Sequence, residues 1–137
     1  MVCPHCETPV VAFVVPEELL AYAPARESAV CTRCLRTFRA EDAGVSPGEG
    51  GDGEGDDAAA DFAAIDRAFP PGEAGVALAL AVGKLESLAL NRAAVEALVE
   101  HARDAGADPW LFFERLSAPD AAFDVERRRE QVLDLVG

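Results

Sequence analysis

Four cysteines, arranged in two pairs, constrain the fold of this chain more than any other feature of its sequence. Cys3 and Cys6 form one Cys-x-x-Cys pair, Cys31 and Cys34 form the other, and 24 residues separate the two pairs. Each pair can supply two thiolates from one tight turn, and tetrahedral zinc takes ligands at a zinc–sulfur distance of about 2.3 Å. The spacing therefore predicts one structural Zn²⁺ per chain, bound by all four cysteines.

Three other uses of the cysteines compete with this prediction. The Cys-Pro-His-Cys sequence at residues 3–6 is also the active motif of some thioredoxin-like disulfide oxidases, where it follows a strand and opens a helix. No strand-forming segment precedes it here, and a second pair is present. Disulfides are disfavoured because an intracellular compartment keeps thiols reduced. Catalytic zinc keeps one coordination position open for water, whereas four cysteines close the shell, so we expect a structural metal.

Residues 1–40 are expected to fold as a small zinc ribbon with short β-strands and two Cys-x-x-Cys knuckles. Val10–Val15 has the composition of a buried strand, residues 16–20 indicate a short helical turn, and residues 35–39 resume extended structure. Forty residues cannot bury enough apolar surface for an independent core, so a bound metal explains how this segment folds.

An acidic linker and an all-α helical bundle are predicted after the ribbon. Residues 41–57 contain six glycines, one proline and seven acidic residues, a composition that cannot offset the entropy lost on ordering, so we expect a solvated tether. In residues 58–137, apolar side chains recur at intervals of three and four, which is typical of helices. Five helices are expected, at about 57–69, Gly75–Leu90, 91–106, 108–116 and 120–136. The second of these is apolar on nearly all sides, which suits a central helix buried by its neighbours.

The chain is strongly acidic, with a formal charge of −13 from 25 acidic and 12 basic residues. Such a charge disfavours nucleic acid or an anionic membrane as a partner. It is also typical of halophilic proteins, as is the excess of eleven arginines over one lysine. The longest uncharged apolar stretch has ten residues, and a membrane-spanning helix needs about 20. Since the signal-peptide pattern is also missing, we expect a cytoplasmic protein.

Arg33, Arg36 and Arg39 lie in and just after the second cysteine pair and allow two interpretations. They can balance the negative charge of a zinc–thiolate centre, or they can contact the phosphates of nucleic acid. We favour charge balance, because the chain as a whole repels polyanions.

The helical segment offers two further surface features. The aromatic cluster within Trp110–Phe113 cannot face the core with every side chain, so it is a candidate patch for a protein partner. Near the carboxyl end, the spacing predicts helix-surface ion pairs of Asp124 with Arg128 and of Glu126 with Arg129.

The CPHC and CTRC motifs, the acidic glycine-rich linker and the helical tail FDVERRREQVLDL resemble a small haloarchaeal family of unknown function that contains a zinc ribbon. This resemblance implies zinc ligation by the four cysteines and no catalytic residues. The chain departs from the usual zinc knuckle at two positions. Glycine often follows the second cysteine and takes a left-handed conformation, but Glu7 and Leu35 stand there. We therefore expect a strained knuckle, or one that differs from the common geometry.

Together these features predict a zinc-binding, non-enzymatic interaction or adaptor protein that acts on a protein partner. The alternative is contact with nucleic acid or the transcription machinery through the ribbon arginines. An enzyme is not expected, because the only histidines, His5 and His101, lack an accompanying pattern of acid and nucleophile.

Overall fold

The computed structural model describes residues 3, 7–44, 62, 68–70, 72–116 and 124–136. Within these residues, a small antiparallel sheet is followed by α-helices. The sheet has the strand order β1–β2–β3, with β1 (Val10–Val14), β2 (Glu27–Cys31) and β3 (Thr37–Arg39). The helices are α1 (Gly72–Val82), α2 (Arg92–Asp104), α3 (Pro109–Arg115) and α4 (Val125–Val136). Short 3-10 helices span Glu17–Tyr22, Ala40–Ala43 and Leu85–Leu90.

Strand β1 forms where the sequence concentrates β-branched and aromatic residues, and β3 lies in the extended stretch expected after the second cysteine pair, which confirms both predictions. Strand β2, in which Val30 is the one β-branched residue, was not predicted. Side chains alternate along β1, with Phe13 buried and Val14 48% exposed. The register of β1 and β2 places Cys31, the last residue of β2, opposite Val10, the first residue of β1. Cys31 therefore lies at the end of the sheet where the chain enters from Cys3.

Helix α1 is buried along its length, as its apolar sequence predicts, but it is shorter than expected. Every residue from Ala74 to Val82 is buried. The chain then turns at Gly83 and Lys84, and continues as a 3-10 helix in which Ser87 leaves helical geometry, with φ −124° and ψ 50°. A Cβ at Gly83 would collide with the side chain of Thr37 in β3. The predicted helix through residue 90 was therefore wrong, because α1 ends where the chain meets the sheet.

Helices α2 and α3 follow their sequence signals closely. Helix α2 buries one apolar stripe and ends before Gly106, whose φ of 101° suits glycine. Asp108 caps α3 by accepting a hydrogen bond from the Leu111 amide at 3.1 Å, with Pro109 in the first turn. Phe112 and Phe113 are buried, whereas Trp110 is 46% exposed and Leu111 39% exposed.

The sheet and the helices share one hydrophobic core, a point that the sequence left open. Phe13 of β1 contacts Phe62, with ring centroids 5.5 Å apart. Leu35, the residue after the second cysteine pair, is fully buried in the same cluster as α1 and α2. The buried members of this core from the described part of the amino-terminal 40 residues are Val11, Phe13, Val15, Leu19, Val30 and Leu35.

One buried polar contact also joins the two parts. The Lys84 ammonium, just after α1, donates a hydrogen bond to the Tyr22 carbonyl at 2.5 Å. Burial lowers the pKa of Lys84, because the charged form loses hydration. The amino-terminal segment is thus packed and hydrogen-bonded onto the helices.

Two predicted regions fall largely on residues that the structure does not describe. Of the predicted linker, residues 41–43 belong to the 3-10 helix Ala40–Ala43, and residues 45–57 lie outside the described ranges. The helix predicted at about 57–69 also lies outside them, apart from residues 62, 68 and 69. None of the helices in the described part of the chain is both long and apolar enough to cross a membrane.

Candidate metal centre

Three of the four predicted ligands come together in a buried cluster of thiols. The Sγ atoms of Cys3, Cys31 and Cys34 all lie within 4.8 Å of one another, and their residues are at most 6% exposed. Cys31 ends β2, Cys34 lies in the turn toward β3, and Cys3 precedes β1. Among the described residues, this is the one group of three potential ligands close enough to share an ion. Cys6 lies outside the described ranges.

The separation of the Cys3 and Cys34 sulfurs is compatible with a shared metal ion. The Cys3 and Cys34 Sγ atoms are 3.8 Å apart. A disulfide bond would bring them to about 2.05 Å. Two thiolates bound tetrahedrally at about 2.3 Å from one zinc ion lie about 3.8 Å apart. These two sulfurs are therefore too far apart for a disulfide bond and at a separation compatible with two ligands on one ion.

The turn at the second cysteine pair directs backbone donors at the Cys31 sulfur. The amides of Arg33 and Cys34 each donate to the Cys31 Sγ at 3.3 Å. The Cys31 amide donates to the Arg36 carbonyl at 3.0 Å, which closes the turn. Hydrogen bonds of this kind stabilise a thiolate, so the turn suits an anionic sulfur.

The turn at Cys3 repeats two features of the turn at Cys31. The Cys3 amide donates to the carbonyl of Thr8, five residues later, as Cys31 does to Arg36. Four residues after the first cysteine, Glu7 has φ 55°, and at the equivalent position Leu35 has φ 64°. By this equivalence of position, Cys6 corresponds in the sequence to Cys34.

At Glu7 and Leu35 the chain lacks the glycine of the usual knuckle but keeps its backbone conformation. Glu7 and Leu35 both adopt the left-handed conformation that glycine usually supplies, at a steric cost of about 1–2 kcal/mol each. The expected strain is present, and the turn geometry at these positions is the common one. For Leu35 the structure also shows a compensating role, since its side chain is fully buried in the shared core.

Burial makes the cluster a poor place for thiolates unless a cation is present. Burial raises the pKa of the Cys34 thiol, and the neighbouring Cys31 and Cys3 raise it further, against a lowering hydrogen bond from the Arg36 amide. A bound divalent cation reverses this balance and deprotonates its thiol ligands. The donor set of soft sulfurs fits zinc or iron better than magnesium or calcium.

The three arginines near the cluster differ in their surroundings. Arg36 forms a two-pronged ion pair with Glu86, at 3.3 Å from Nε and 3.1 Å from Nη2, and this hydrogen bonding raises the pKa of Arg36. Arg39 lies 3.6 Å from Glu41 and 3.5 Å from Asp42. Arg33 is exposed. Sequence reasoning missed the Glu86 partner, because a separation of 50 residues carries no local signal.

Comparison with known proteins places the chain in a family without a known activity. A family model matches residues 2–136, which is nearly the whole chain. The chain belongs to DUF6276. DUF6276 is described as a family of unknown function. No curated protein and no solved structure matches the chain.

Proposed function

We propose that this DUF6276 protein is a non-enzymatic interaction or adaptor protein whose amino-terminal sheet is a zinc ribbon with one structural Zn²⁺ per chain. The observation that carries the metal assignment is the buried cluster of Cys3, Cys31 and Cys34, with two sulfurs at the separation of ligands on one tetrahedral ion. When bound, zinc supplies a rigid cross-link between the segment before β1 and the turn after β2. Structural zinc contributes an apparent stabilisation of about 10–16 kcal/mol in small modules.

Cys6 is the proposed fourth ligand. The support is the repeated turn, in which the first cysteine of each pair donates to the carbonyl five residues later and a left-handed residue follows at the fourth position. Four thiolates complete a tetrahedral shell, which favours a structural role over a catalytic one.

The proposed partner is a protein, and the proposed contact surface is on α3. Trp110 and Leu111 are large hydrophobic residues that are partly exposed, and Leu111 lines a small hollow together with Pro70 and Leu78. Tryptophan is enriched at binding hot spots, which makes exposed Trp110 the central residue of this surface. The alternative of nucleic-acid contact gains no support, because Arg36 and Arg39 are already paired with carboxylates.

The metal assignment is tested by metal analysis and thiol titration of the full chain, purified without added metal. We expect one zinc per chain and thiols that react only after a chelator is added. Cys31→Ser and Cys6→Ser should each lower zinc retention, whereas Arg33→Gln, in the same turn as Cys31 but without a ligand atom, should retain it. Metal-free protein with freely reactive thiols would refute the zinc centre. Full retention by Cys6→Ser would refute the fourth ligand alone.

The adaptor role is tested separately, by quantitative cross-linking of the metal-loaded chain in cell extract. A specific partner should be lost with Trp110→Ala and kept with Glu114→Gln, which changes another exposed residue of α3. Equal recovery with both variants would contradict the α3 surface.

A further inference from the structure

A second groove in the helical segment combines an apolar floor with two guanidinium groups. It lies between the 3-10 helix Leu85–Leu90, the start of α2 and the middle of α4, and its volume is about 250 Å³. Leu88, Ala89 and Leu135 supply its apolar lining. Pockets for drug-sized ligands span about 300–1,000 Å³, so this groove suits a smaller molecule.

Arg92 and Arg128 line the groove and lack carboxylate partners within the described part of the chain. The prediction of an ion pair between Arg128 and Asp124 was wrong, because these two described residues do not form one. Arg128 instead donates from Nη1 to the Gln131 side-chain oxygen at 2.8 Å, and its Nε is buried with no hydrogen-bond partner among the described residues. Gln131 thus orients a guanidinium group without neutralising it. The groove therefore holds two guanidinium groups without carboxylate partners, although the whole chain has a net charge of −13.

The amino end of α2 adds to the positive character of the groove. Arg92 is its first residue, and no acidic residue lies in its first turn. Asn91 does not cap the helix through its side chain, which donates to the Ser87 carbonyl at 2.9 Å. The positive end of the helix dipole therefore stays available to an anion near Arg92.

One carboxylate, Asp134, also lines the groove, and it limits the charge of the ligand that the groove can balance. Two guanidinium groups and one carboxylate leave a single net positive charge, which a monoanion balances and a phosphate dianion exceeds. Guanidinium groups bind carboxylates through paired hydrogen bonds. We propose that the groove binds small aliphatic carboxylates, with the anion on Arg92 and Arg128 and the alkyl chain on the apolar floor. This site is separate from the proposed zinc centre and the α3 surface.

The test is an NMR titration of the full, metal-loaded chain with sodium hexanoate at constant ionic strength. Saturable shifts are expected at residues 88–92 and 128–135. Acetate lacks the alkyl chain and hexanol lacks the charge, so each should bind at least about tenfold more weakly. Hexyl phosphate, a dianion, should also bind more weakly than hexanoate.

Arg92→Gln and Arg128→Gln should each weaken hexanoate binding about fivefold. Arg103→Gln is the matched control, because Arg103 is an exposed arginine of α2 that lines a different hollow with Glu96 and Glu100. Arg92 is exposed, so its variant tests the proposal even if Arg128→Gln disturbs α4. The proposal would be overturned if hexanol bound as tightly as hexanoate, or if hexyl phosphate bound more tightly. It would also be overturned by an equal loss of binding with Arg103→Gln, or by the absence of any saturable shift.

Discussion

Leu35 offers a test of how the turn at the second cysteine pair is joined to the helical core. Its backbone takes the left-handed conformation at φ 64°, and its side chain is fully buried among residues of the sheet and the helices. Leu35→Ala removes the packing but keeps a Cβ in the unfavourable conformation, so it should lower the free energy of unfolding by about 2–5 kcal/mol.

Leu35→Gly should be about as stable as Leu35→Ala, although glycine buries less. Compared with alanine, glycine lacks one buried methyl group, which lowers the free energy of unfolding by about 0.8 kcal/mol. The greater flexibility of glycine in the unfolded chain lowers it by about 0.5–1 kcal/mol more. It regains about 1–2 kcal/mol, because the left-handed conformation carries no Cβ penalty. These contributions cancel to within about 1 kcal/mol.

Val30 is the matched control, since it is equally buried in the same core but lies in the regular strand β2. There Val30→Gly should be less stable than Val30→Ala by about 1–2 kcal/mol, because no left-handed strain is relieved. The assay is urea unfolding followed by far-UV circular dichroism, at fixed salt and zinc concentrations. If the Leu35 pair differed as much as the Val30 pair, the role assigned to the left-handed turn would be wrong. If Leu35→Ala cost less than about 1 kcal/mol, Leu35 would not anchor the core.

Three further predictions concern single contacts. Burial lowers the pKa of Lys84 in the folded protein, so the unfolded chain binds the Lys84 proton more tightly. The free energy of unfolding of the wild type should therefore rise relative to that of Lys84→Met as the pH increases toward 10.5, the ordinary pKa of lysine. Parallel curves of stability against pH for the two proteins would contradict this prediction. Gly83→Ala should destabilise the protein by about 1–3 kcal/mol in urea unfolding, because its Cβ would clash with the Thr37 side chain. In the double variant, Thr37→Ala should restore part of this loss; if the two changes in free energy were strictly additive, the clash would be excluded. Asp108→Ala should cost about 1 kcal/mol in thermal unfolding through loss of the α3 cap, and Asp108→Asn should cost less, so equal losses would point away from capping.

Local signals in the sequence predicted much of this fold. The strand at residues 10–14 follows from a run of β-branched and aromatic residues, and Asp108 with Pro109 marks the start of α3 within a residue. The thiol cluster follows from the spacing of the cysteines, of which Cys3, Cys31 and Cys34 are brought together. The strand and the start of α3 succeed because each depends on residues near one another in the chain. The cluster joins Cys3 to Cys34, which is distant in sequence, and was predicted from the ligand chemistry of paired cysteines.

Sequence reasoning missed strand β2 and several features that depend on distant contacts. Helix α1 ends at Val82, just before Gly83, a residue type that often follows the end of a helix, but only the structure shows that Thr37 of β3 approaches this glycine closely. The partner of Arg36 is Glu86, fifty residues away, and Leu35 was read only as a missing glycine. Its burial explains why a leucine stands there, but only the packing of the sheet on the helices reveals that burial.

The all-round burial of α1 has a consequence for how this family can vary. From Ala74 to Val82 no position faces solvent, and small residues alternate with larger ones, as in Ala77, Leu78, Ala79 and Leu80. An enlarged alanine would meet a neighbour on every side, and a shortened leucine would leave a cavity. Substitutions in α1 should therefore be accepted only together with compensating changes in the elements around it. Across members of DUF6276, this segment should evolve more slowly than the exposed face of α2.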